Sequence, residues 1–90
     1  MEEFFENELA KKFEDMIENN EQVYFDTEEV EDIVIFYLEM GDINFAEMAV
    51  NYGLNLHPNS IELKVKQLEV FLELEKYVQA RQLIEELKPS

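Results

Sequence analysis

Val34, Tyr37, Leu38, Ile43, Ala46 and Val50 each have a counterpart at one constant offset along the chain, in Leu68, Phe71, Leu72, Tyr77, Ala80 and Ile84. A repeat of that period is a supersecondary unit written twice, and it confines the chain to very few architectures. Within each copy the apolar positions recur every three or four residues, the period of a helix with one buried face. A two-residue break divides each copy, Gly41-Asp42 in the first and Glu75-Lys76 in the second. Helices joined by so short a turn are antiparallel neighbours, so the unit is a helical hairpin. Ala46 and Ala80 fall where two closely crossing helices need a small side chain.

Local signals set the helix boundaries. Phe5, Leu9, Phe13, Met16 and Ile17 lie at helical spacing among Glu and Lys, so residues 2 to 19 read as an amphipathic helix that Asn19-Asn20 ends. The following "EQVYFD" resists helix through its β-branched and aromatic residues and reads as an extended connector, with Val23, Tyr24 and Phe25 tucked between helices. Asp26 with Glu29 three residues later is a capping-box start for a helix over 27–40, and Gly41 stops it. Asp42 caps a helix over 43–56, closed by His57-Pro58. Asn59 or Ser60 caps a helix over 61–74, and Tyr77 to about Leu87 is the last. The chain is thus expected to be all-α with about five helices in one domain over 1–90. That domain comprises a capping helix (2–19), a hairpin (27–56) and a second, degenerate hairpin (60–88). Ala80, Leu83, Ile84 and Leu87 form one stripe spent on the preceding helix. Met16, Met40, Met48 and the rings of Phe13, Phe36, Tyr37, Phe45, Tyr52, Phe71 and Tyr77 read as core filling.

Ninety residues bury only a thin core, which makes the function a surface one. The 47% hydrophobic content places the chain among folded domains despite a net charge of −15. That charge is uneven. Residues 1–50 carry 16 acids against Lys11 and Lys12, a net −14, whereas residues 51–90 carry six acids against five bases, a net −1. Such a field repels phosphate backbones and anionic lipid and favours basic protein partners. The longest wholly apolar run, Ile33 to Leu38, is far short of a membrane span, and the acidic N-terminus is unlike a signal peptide. With no cysteine to suggest an oxidising compartment, the cytoplasm is the default expectation.

A 34-residue helix-turn-helix with these spacings resembles the tetratricopeptide repeat, whose signature places Val30, Ile33, Val34, Tyr37, Ala46, Val50 and Pro58, with Gly41-Asp42 in the turn and Gly53 at the second small position. The resemblance covers about Thr27 to Leu87 and is strongest in the first hairpin. Val34 and Leu68 sit where the family prefers a small residue, and the second hairpin departs further: Lys64 and Gln67 replace apolar positions, Glu75 replaces the turn glycine, and Ala80 to Pro89 is shorter than Ala46 to Pro58. What the resemblance implies is an α-α superhelix whose first helices line a concave, peptide-holding groove. That groove would present Glu28, Glu31, Asp32, Ile35, Leu38 and Glu39 from the first hairpin and Glu62, Val65, Lys66, Glu69, Leu72 and Glu73 from the second. Members that clamp a C-terminal carboxylate use basic residues there, and Glu31 and Ile35 do not fit that role.

Chemistry is otherwise sparse. His57 is the only histidine and sits at a helix end; Ser60 and Ser90 lie far from any triad pattern; the two glycines make no phosphate loop; and no calcium-loop or zinc motif is present. The expected function is therefore non-enzymatic, with no cofactor or metal: a module that binds a basic or amphipathic segment of another protein in an acidic groove. Three readings compete with it. The acidic face is solvated surface on a structural spacer, the chain self-associates through its ends, or it is an acidic mimic of nucleic acid.

Overall fold

The computed structural model describes residues 7 to 89, which form five α-helices: α1 (Glu8–Glu18), α2 (Thr27–Met40), α3 (Ile43–Leu56), α4 (Ile61–Glu73) and α5 (Tyr77–Leu87). Residues 2 to 6 of the expected first helix, Phe5 among them, lie outside the described part; the helix starts at Glu8 behind Asn7, whose side chain accepts from the Ala10 amide at 2.8 Å. Both hairpins obey the sequence offset in space, because the interval from the start of α2 at Thr27 to that of α4 at Ile61 equals the interval from Ile43 of α3 to Tyr77 of α5. Asp26 and Ser60 each cap their helix, Asp26 through a complete capping box with Glu29. Gly41 and Glu75 occupy matching turns, both with positive φ, +80° and +59°. Glycine takes that conformation freely and glutamate does not.

α2 packs on α3, α3 on α4 and α4 on α5, while α2 also meets α4 on one flank and α1 on the other. Phe13, Phe25, Val30, Ile33, Val34, Val50, Leu63 and Val70 are fully buried at the centre. α1 closes the N-terminal side: the Phe13 ring meets Phe25, Phe45 and Tyr52 edge-on at centroid distances of 5.7–6.4 Å. Small residues permit the close crossings. Ala46 and Ala80 are buried, and a Cβ on Gly53 would lie 2.4 Å from Val30 Cγ1 and 3.2 Å from Leu63 Cδ1, so α2, α3 and α4 converge at that glycine.

The connector behaves as expected at two of three positions. Phe25 is buried and Val23 half-buried, but Tyr24 points outward and leans edge-on over His57. Two side chains at the end of α3 hold it down, Tyr52 donating its hydroxyl to Val23 O at 2.6 Å and His57 donating Nε2–H to Phe25 O at 2.8 Å. Several residues expected in the core stand on the surface. Met48 faces away from the buried Ala46 and Val50 on its own helix, Met40 is the last residue of α2, and Ile17, Tyr77 and Ile84 each keep about half of their surface. A helical period tells which residues share a face, not whether a neighbour covers it.

Candidate functional site

The twelve residues of the expected groove separate into two sets by helical phase. Glu28, Asp32, Ile35 and Glu39 run along one face of α2, and their repeat counterparts Glu62, Lys66, Glu69 and Glu73 run along the same face of α4. The helices are neighbours, so the rows lie on adjacent supports. Except for Ile35 and Lys66, which are half-buried, all of these are exposed. The remaining four, Glu31 and Leu38 on α2 and Val65 and Leu72 on α4, lie on the flank of each helix. Glu31 and Leu38 are half-buried, whereas Val65 and Leu72 are exposed.

The α2 row borders a depression. Asp32, Ile35 and Glu39, with Phe36, face the cap residue Asn7 and Glu8 and Leu9 of α1 across an open hollow of about 420 Å³. Phe36 and the α1 residues were not among the expected groove residues, because a contact across the α1–α2 seam has no signal in either helix alone. A second hollow of about 400 Å³ collects Glu14, Asp15, Glu18 and Asp42 around Ile17 and Phe45. No group of three or more histidine or acidic side chains among the described residues is arranged to hold a metal ion.

Lysines distribute unevenly over this surface. Five ion pairs are present among the described residues: Lys11–Asp15 (3.3 Å), Lys64–Glu86 (2.7 Å), Lys66–Glu69 (3.3 Å), Lys76–Glu47 (2.8 Å) and Lys88–Glu85 (3.1 Å). Lys12 instead sits over the Phe25 ring, 5.7 Å from its centroid. Among the described residues no base pairs with Glu28, Asp32 or Glu39, so the α2 row presents uncompensated charge, and the α4 row carries Lys66 within it. Among the described residues, the one titratable group moved far from its ordinary value is the buried Tyr37 phenol. Desolvation first, and then its hydrogen bond to the Glu14 carboxylate, push its pKa well up. That bond and a weaker one to Ala10 O at 3.4 Å tie α2 to α1. His57 is occupied by Phe25 O and serves the fold.

No helix among the described residues is long and apolar enough to cross a membrane. Comparison of the chain with protein-family models, with curated proteins and with solved structures found no match.

Proposed function

We propose that this chain is a protein-interaction module of the tetratricopeptide type, working in the cytoplasm without catalysis, and that it takes a basic or amphipathic segment of another protein along the acidic rows of α2 and α4. The observation that carries the reading is the register of those rows: Glu28, Asp32, Ile35 and Glu39 are answered one repeat later by Glu62, Lys66, Glu69 and Glu73 on the adjacent helix. A segment laid across both would meet acids spaced by the repeat, with Ile35 and the Phe36 hollow as apolar steps. Such exposed charge contributes chiefly to steering and orientation. Family membership is supported by the matched helix starts, the paired left-handed turns at Gly41 and Glu75, and the buried small residues Ala46, Ala80 and Gly53.

Affinity capture with the wild type and with a Glu28→Lys/Asp32→Lys/Glu69→Lys variant tests the reading, at low and at raised salt. A partner held by the wild type and lost by the variant supports it. Equal capture by both proteins sinks it, because the rows would then contribute nothing.

A further inference from the structure

α1 reaches α3 through the Phe13 ring, and the seam between the two helices stays open beside it. Two hollows of about 400 and 490 Å³ lie along α1 and share Ile17, which keeps 41% of its surface. The first has Ile17 and the half-buried Phe45 as its apolar part, with Glu14, Asp15 and Glu18 of α1 on one side and Asp42 on the other. The second runs on from Ile17 to Glu21 and Tyr52. These residues are separate from the rows of α2 and α4.

The charge of the first hollow is one-sided. Glu14 accepts from the Tyr37 hydroxyl and Asp42 from the Phe45 amide, but both donors are neutral and leave the carboxylates charged. Their fields converge on Tyr37, whose ring packs against Phe45. Burial first, then the Glu14 bond and the charges of Glu14 and Asp42, hold that phenol above its ordinary value. Of the four acids only Asp15 pairs with a base among the described residues, meeting Lys11 at 3.3 Å through side chains 51% and 71% exposed. A pair that open to water holds little energy and yields to a competitor.

The next seam shows how such a place is closed. Asp42 and Lys76 are repeat counterparts, the cap residues before α3 and α5. Lys76 makes no side-chain cap bond and instead sends its ammonium across to Glu47 of α3 at 2.8 Å, where only 20% of the glutamate side chain is exposed. At the α1–α3 seam an acid stands in the position of that lysine, and the helix opposite presents acids too. Four carboxylates around one apolar hollow repel one another, and a cation seated between them relieves the repulsion. A second copy is a poor source of that cation. It carries 22 acids against seven bases, and five of the seven are already paired.

We propose that the α1–α3 hollow is a second docking site, which takes a lysine or arginine side chain of another protein between Glu14, Glu18 and Asp42, with an aliphatic neighbour of that residue over Ile17. It stands apart from the α2 and α4 rows, and neither site requires the other. The probe is a capped peptide alternating leucine and arginine, titrated into isotope-labelled protein with its amide shifts followed by NMR. The same peptide with citrulline, the neutral isostere, in place of arginine runs beside it. Saturable shifts at the amides of Ile17, Glu18 and Phe45 that vanish with citrulline are expected. In Glu18→Gln/Asp42→Asn, where asparagine keeps the helix cap, affinity is expected to fall about fivefold or more. Glu75→Gln/Glu85→Gln removes the same charge on the second hairpin, outside both sites, and is expected to change affinity less than about twofold. Ile17→Ser is expected to weaken binding about threefold or more, through the lost apolar contact. Circular dichroism melts check that each variant folds.

No shift with the arginine peptide, equal shifts with citrulline, or equal loss of affinity in the two charge variants overturns the proposal. Shifts confined to α2 and α4 overturn it as well, while supporting the acidic-row reading.

Discussion

At Gly53 the missing side chain is what lets three helices meet. A methyl group there would fall 2.4 Å from Val30 Cγ1, and the branched valine, itself fully buried, has nowhere to swing. Gly53→Ala gains the helix propensity of alanine, about 1 kcal/mol, but incurs an overpacking cost of about 1–3 kcal/mol. Net destabilisation in urea unfolding is the expected outcome, shrinking when Val30→Ala makes room; a loss unchanged in that background would place the strain elsewhere. Glu75 is the opposite case, a side chain where none belongs. Its φ of +59° costs more for glutamate than for glycine, so Glu75→Gly is expected to stabilise the fold by about 1 kcal/mol. An unchanged urea midpoint would mean that the turn relaxes in solution. The small position at Gly53 was legible in the sequence, through its place in the repeat. Its contact with Val30 and Leu63, which come from two other helices, was not.

Among the elements, α1 depends most on named side-chain ties, because it meets α2 across a short seam and reaches α3 through Phe13. Tyr37 reaches from α2 to the Glu14 carboxylate and to Ala10 O, and its ionisation would put an anion beside an anion in a desolvated place. Its folded-state pKa is raised, so the stability it contributes is fully present below the unfolded-state value near 10 and is lost as pH rises above that. Unfolding free energy is expected to fall above about pH 10, with a contribution from this one group of about 1.4 kcal/mol per pH unit. In Tyr37→Phe that contribution disappears, and the difference between the two proteins against pH isolates it from the other tyrosines. Parallel curves would show that Tyr37 titrates freely. The bond partners lie 23 and 27 residues apart, and neither helix pattern announces the pairing.

Over the whole molecule, the dominant long-range force is self-repulsion. A net charge of −15 on 90 residues, concentrated in the first half and answered by five surface ion pairs among the described residues, opposes the compact state. Screening should relieve it. The melting temperature is expected to rise between roughly 0.02 and 0.3 M salt, over which the Debye length falls from about 20 to about 6 Å. A melting temperature that falls with salt would show that the few pairs matter more than the many unpaired acids.

Helix number, the starts of α2 to α5 and the repeat were decided by the sequence alone, because caps, turn residues and the apolar period act within a turn or two of chain; α1, expected from residue 2, instead begins at Glu8 behind the Asn7 cap. Asp26, Gly41, Asp42 and Ser60 do locally what their chemistry requires, and α2 to α5 begin at the expected residues. The tertiary structure decided what those signals leave open, which is where a face finds a neighbour. Val34 and Leu68 are equivalent in pattern, yet one is sealed and the other half-open; Val50 is sealed while Ile84 is exposed. Helical phase alone divides the twelve groove residues into a face and a flank, but only the neighbouring helices decide that Glu31 and Leu38 are half-covered while Val65 and Leu72 stand open. Burial is a property of two surfaces, and a periodic sequence describes only one of them.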